Sequence, residues 1–217
     1  MTSSNTLPRS RGTAARPISK AEQSTRTRAL IVETGIKCLA RYGYANTSLH
    51  LIAQQAGLSR GPVHYHFTDK NDLMGAIAEA LPQQAPEKTR KRLAEASMPE
   101  ERMKALVEIS VEQHLGDHHF VAIELLIAAR QDPDLAASVM PHFSTGEDAI
   151  DKWFVNYAEG LGWDAERLIT FRIVLVAALR GLAVDNVQRE GSGVHSAAAE
   201  MLKDMVLQYL LRSVQAG

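Results

Sequence analysis

Apolar positions along the chain recur at helical rather than strand spacing. From about Glu22 to Arg41 the stripe is clear, with Ile31, Gly35, Cys38, Leu39 and Tyr42 at i, i+4, i+7, i+8 and i+11. Gly43 should end this helix, because glycine tolerates the left-handed conformation of a helix C-terminus. Thr47 and Ser48 then offer hydroxyls as the next N-cap, and a short helix through Ala56 buries Leu49, Ile52 and Ala53. Beyond the break "LPQQAP" (81–86), helical patterns run over about 87–96, 100–116, 119–130, 133–159, 165–190 and 195–213. Pro99 and Pro133 fall at helix starts, where a missing N–H costs little. Pro141 lies inside its segment and should kink or break it. The pattern predicts an all-α chain.

The last two segments are apolar on more than one face. Ile169, Ile173, Val174, Val176, Leu179 and Val184 surround the first, and Met201, Leu202, Met205, Val206, Tyr209 and Leu210 the second. A helix that is apolar all round needs cover on every side. A domain core covers one side, and a second copy of the chain covers the other, which predicts a symmetric helical dimer. The alternative is that both helices lie at the centre of one monomeric bundle.

Residues 56–67, "AGLSRGPVHYHF", pack a Gly turn, a cap and polar aromatics into twelve positions. Gly57 supplies the turn, Leu58 plugs the corner, Ser59 caps the following helix, and Pro62 stands where its N–H would be unpaired anyway. Two short helices joined by a brief Gly-containing turn make a helix-turn-helix. Ser59 and Gly61 are small enough for close approach of the backbone to a DNA surface. Arg60 suits a guanine edge or a phosphate, His64 and Tyr65 follow it, Phe67 returns to the core, and Lys70 can pin a phosphate.

Charge sharpens this picture. Residues 1–70 hold ten of the 24 Lys and Arg but three of the 25 Asp and Glu, a formal +7 against −8 for the remainder. A basic N-terminal third on an acidic body fits a nucleic-acid-binding end, although a solvated charged surface with a basic tail would show the same balance. Arg9, Arg11, Arg16 and Lys20 lie in or beside a flexible tail that can add unspecific attraction or reach a minor groove. No apolar run is long enough to cross a bilayer, the N-terminus lacks an apolar signal core, and Cys38 is the single cysteine. These features suggest a cytoplasmic protein.

The run "TSLHLIAQQAGLSRGPVHYHFTDKNDLM", with the preceding "IVETGIKCLARYGYANTS", resembles the DNA-binding domain of TetR-type (tetracycline-repressor-like) transcriptional regulators. Gly43-Tyr44, Thr47-Ser48, Ile52-Ala53, Ala56-Gly57-Leu58-Ser59, Gly61, Tyr65, Phe67, Lys70 and Leu73 carry the likeness, over roughly residues 25–75. The resemblance implies an all-helical homodimer with two DNA-reading heads and a C-terminal ligand cavity whose occupation releases DNA. Thr47 and Ser48 match positions that cap a helix and touch phosphate, Arg60 and Gly61 the start of the recognition helix, and Lys70 a phosphate lysine. His64 stands where a tyrosine is usual, with Tyr65 beside it, and His50 where an arginine or an acid is common.

The candidate DNA-binding residues are therefore Thr47, Ser48, Arg60, Gly61, His64, Tyr65 and Lys70. The chain divides into a flexible basic tail (1–21), a three-helix helix-turn-helix DNA-binding domain (22–75) and a larger helical effector-binding and dimerisation domain (76–217). The expected partners are double-stranded DNA, a small-molecule effector and a second copy of the chain, with no membrane. Phe120, Ile123, Leu126, Met140, Phe143, Trp153, Phe154 and Tyr157 are candidates to line the effector cavity, with His119 or Arg130 as a polar anchor, although each taken alone reads as plain core. His114, His118 and His119 have partial metal-ligand spacing, but Gly116 interrupts the helix that would present them. No catalytic, cofactor or metal motif is recognisable, so the expected activity is not enzymatic but ligand-responsive transcriptional regulation, most simply repression at a palindromic operator. A helical protein–protein module is the competing class. It would keep the apolar terminal helices without needing Arg60, Lys70 or the basic N-terminal third.

Overall fold

The computed structural model describes residues 19–81, 87–114, 117–188 and 194–215. They form helices α1 (Lys20–Asn46), α2 (Leu49–Gln55), α3 (Arg60–His66), α4 (Lys70–Ala80), α5 (Glu87–Glu95), α6 (Pro99–His114), α7 (Asp117–Ala129), α8 (Pro133–Tyr157), α9 (Ala165–Gln188) and α10 (Val194–Gln215). No strand occurs among the described residues. Helix α1 starts at Lys20 because Ser19 and Glu22 form a reciprocal capping box: Ser19 Oγ accepts from the Glu22 N–H at 3.1 Å, and Glu22 Oε2 accepts from the Ser19 N–H at 2.7 Å. Helix α1 therefore begins two residues before the expected start of the head at residue 22. Arg9, Arg11 and Arg16 lie outside the described residues.

Two apolar cores organise the chain. The first joins Ile31, Ile36 and Leu39 of α1, Ile52 of α2, Val63 of α3 and Leu73 and Ile77 of α4 to Leu125 of α7 and Leu135 and Val139 of α8. The second joins Met103 and Val107 of α6, Phe154 of α8, Leu168, Leu175 and Leu179 of α9, and Leu210 of α10. A boundary between residues 75 and 76 thus cuts through the first core, which is shared by the head and the near end of the body. Gly75 shows how close that packing is, since a Cβ there would lie 3.0 Å from the carbonyl oxygen of Ser138.

Helix α8 runs through Pro141 instead of breaking there. The proline removes one N–H and leaves the Ala137 carbonyl without its helical donor, while Val139 before it and Phe154 beyond it anchor the helix in the two cores. Farther along, Arg172 of α9 is buried, and its Nε donates to Asp151 at 2.6 Å and Nη2 to Glu147 at 2.8 Å. A buried guanidinium is tolerated because both carboxylates on α8 meet it.

Candidate cavity-lining aromatics divide between the two cores. Phe143 packs on the first core and Phe154 sits in the second, while Trp153 is exposed and stacks on Tyr157 with centroids 5.0 Å apart. Arg130 is exposed, and the side chains of His114, His118 and His119 lie outside the described part. On the outer faces of α9 and α10 an apolar strip remains open: Val174 is 63%, Met201 66% and Met205 63% exposed, with Ile173, Val184 and Tyr209 alongside.

Candidate nucleic-acid interface

The helix-turn-helix is built by backbone hydrogen bonds that the glycine makes possible. Ser48 caps α2, its hydroxyl accepting from the Leu51 N–H at 3.1 Å. At the other end Gly57 has φ 67°, the Gly57 N–H donates to Gln54 at 3.2 Å, and the Leu58 N–H donates to Ala53 at 2.9 Å. This is a Schellman closure, with Leu58 packed against the core. It turns the chain into α3 without leaving the end of α2 unpaired. Ser59 occupies the N-cap of α3, but its side chain makes no capping bond.

Val63 and Phe67, each 1% exposed, fix the inner face of α3, and Arg28 of α1 lies 5.4 Å from the Phe67 ring centroid. The outer face then carries Arg60, Gly61, His64 and Tyr65, all exposed. Tyr65 is 79% exposed, unusual for an aromatic residue with a core one turn away. A Cβ on Gly61 would meet nothing within 4 Å, so packing inside the protein does not require glycine there.

Thr47 and Lys70, both expected at phosphates, turn inward in the structure. Thr47 is 1% exposed and its hydroxyl donates to the Gly43 carbonyl at 2.8 Å. Gly43 interrupts α1 with φ 72° and ψ 170°, so its carbonyl needs a donor from outside the regular ladder. Lys70 donates to the Tyr44 carbonyl at 2.6 Å, with its ammonium 3.7 Å from the Tyr44 ring centroid. Burial pushes the Lys70 pKa down, against the opposing pull of Asp132.

Lys70 belongs to a junction that motif reading did not reveal. Glu124 of α7 accepts from the Tyr44 N–H at 2.8 Å, and the Tyr44 hydroxyl donates to Asp132 at 3.3 Å, with Asn71 Oδ1 at 3.4 Å. Burial and the Asp132 charge both push the Tyr44 pKa up. Asp132 also caps α8, accepting from the Asp134 and Leu135 N–H groups. Gly43-Tyr44 was legible as a pair, but nothing local points to partners 80 and 88 residues away.

Residues 31–77 match the family model for bacterial regulatory proteins of the tetR family. Over 167 residues, 76% of this chain and 81% of the relative, the chain is 28% identical to the HTH-type transcriptional regulator CymR of Pseudomonas putida. A transcriptional regulator from Rhodococcus sp. Rha1 shares the fold with a TM-score of 0.64 at 20% identity, covering 86% of this chain and 96% of that one. Residues 31–77 form a TetR-family DNA-binding domain. Its likeness to the TetR-type head extends to the HTH-type transcriptional regulator TtgR, also of Pseudomonas putida, 34% identical over 85 residues, 39% of this chain and 38% of that protein. The fold is also shared by the transcriptional regulator FadR from Bacillus subtilis, solved in complex with stearoyl-CoA, with a TM-score of 0.61 at 15% identity over 82% of this chain and 97% of that one. No described helix is long and apolar enough to cross a membrane. The protein is a transcriptional regulator whose helix-turn-helix is its DNA-binding element.

Proposed function

We propose that this TetR-family regulator is a homodimeric cytoplasmic repressor that leaves a palindromic operator when a small molecule binds its body. The observation that carries the reading is the outer face of α3. Arg60, Gly61, His64 and Tyr65 are presented together, while Val63 and Phe67 hold the opposite face in the core. A short helix anchored in this way can enter a major groove with its first turn against base edges. Ser48 lies at the start of α2, where a hydroxyl and helix N–H groups suit a phosphate. Thr47 and Lys70 support the surface from behind.

The open strip on α9 and α10 favours pairing with a second copy. Met201, Met205 and Tyr209 repeat every four residues on one helix face, and Ile173, Val174 and Val184 lie on the neighbouring helix. Such a face stabilises a chain when an identical face covers it. Twofold symmetry then presents two α3 helices to half-sites about 34–36 Å apart.

Release follows by linkage: a molecule that binds better to another arrangement of the heads lowers DNA affinity. The Tyr44 junction offers a route, since Glu124 and Asp132 of the body hold the segment that leads into α2. Solved proteins of the same fold carry stearoyl-CoA, choline or imidazole. That range supports a small-molecule site in the body without selecting its chemistry.

Fluorescence anisotropy with DNA from upstream of the protein's own gene, over a salt series with competitor DNA, tests the reading. Tight, salt-sensitive binding that Arg60→Ala weakens by roughly 1–3 kcal/mol is expected. Binding that is weak and indifferent both to sequence and to Arg60→Ala, there and on genomic fragments, would contradict it.

A further inference from the structure

The first turns of α2 and α3 meet on the proposed reading surface. There the Nε–H of Arg60 donates to Nδ1 of His50 at 3.3 Å. Leu49, Val63 and His64 complete a shallow pocket around the pair. Both partners are exposed, and a hydrogen bond between exposed side chains adds little to folding stability. Its consequence is for direction.

A guanidinium offers two bidentate edges. One uses Nε with an Nη, and the other uses the two Nη groups end-on. Engaging Nε with His50 occupies the first edge and leaves the end-on fork, which matches O6 and N7 of guanine in the major groove. Arg60 is the first residue of α3, where an unrestrained side chain would also sweep across neighbouring phosphates. Holding it beforehand reduces the rotamer freedom lost on binding. The bond also sets the imidazole tautomer: Nδ1 accepts, so the ring proton sits on Nε2.

We propose that His50 is a specificity-determining positioning residue, which aims the end-on fork of Arg60 at one guanine in each operator half-site. This rests on the DNA-reading role proposed for α3. His50 acts through Arg60, so the two residues govern the same base pair.

The test begins with selection of a binding duplex from random-sequence DNA by the full-length protein. Anisotropy then follows that duplex and its single base-pair substitutions with the wild type, His50→Ala, His50→Asn and Arg60→Ala. Arg60→Ala is expected to abolish discrimination at one base pair per half-site. His50→Ala should reduce discrimination at that same pair by on the order of tenfold while binding to unrelated DNA stays close to wild type. Asparagine carries an oxygen the same number of bonds from Cβ as Nδ1, so His50→Asn should restore much of the discrimination. A merely structural role would change affinity for all duplexes alike and would show no rescue. Wild-type discrimination in His50→Ala, or loss at a different base pair from Arg60→Ala, overturns the inference while leaving the regulator reading intact. No enriched duplex at all overturns both.

Discussion

Gly43 shows how much one residue can decide. Its φ of 72° is a left-handed conformation, and an added Cβ would lie 2.9 Å from Glu124 Oε1. That carboxylate receives the Tyr44 N–H, so a side chain at 43 strains the backbone and displaces the acceptor together. Gly43→Ala is expected to cost about 1–3 kcal/mol in chemical denaturation. Lys70 makes a different point. Its ammonium already has the Tyr44 carbonyl and ring, so Lys70→Ala should lower the melting temperature while the slope of log K against log salt stays as in the wild type. A slope smaller by about one would instead mark a phosphate contact. The sequence could not separate these roles, because the carbonyl that Lys70 reaches is 26 residues away, next to the interruption at Gly43. Arg60 and Tyr65 were easier to read, since their neighbours Val63 and Phe67 fix which face of α3 turns inward.

At the scale of elements, helix positions follow from patterns a few residues long. Ala56-Gly57-Leu58 closes α2 through local bonds, and Pro133 starts α8 beneath the Asp132 cap; both were visible as spacing. Pro141 was not, because what keeps α8 continuous past it is two cores formed by distant helices. Phe67 carries much of the hold on α3, and Phe67→Ala should destabilise the head by about 3–5 kcal/mol, measured by denaturant unfolding. On α10 the open strip makes a separate claim. Met205→Glu places a charge where the proposed partner packs, so light scattering at micromolar concentration should show the wild type with the mass of two chains and the variant with that of one. A wild type that weighs a single chain would contradict the dimer.

Across the whole molecule, the expected boundary after residue 75 falls inside α4, where head and body share one core. The shared core makes the connection stronger than a linker would. Leu125, Leu135 and Val139 of the body pack with Ile52, Val63 and Leu73 of the head, and Glu124 and Asp132 hold Tyr44 from the same side. Helices α7 and α8 are therefore tied to α2 through packed side chains as well as through α4. No single-sequence pattern shows this, because the contacts depend on residues eighty positions apart being brought together. The central claim remains that paired α3 helices read DNA, and selection of genomic fragments by the purified full-length protein addresses it most directly. The expected result is an enriched inverted repeat whose half-sites are one helical turn or a multiple apart, lost when Arg60→Ala is used in the same selection. Recovery of no inverted repeat by the wild type would contradict it.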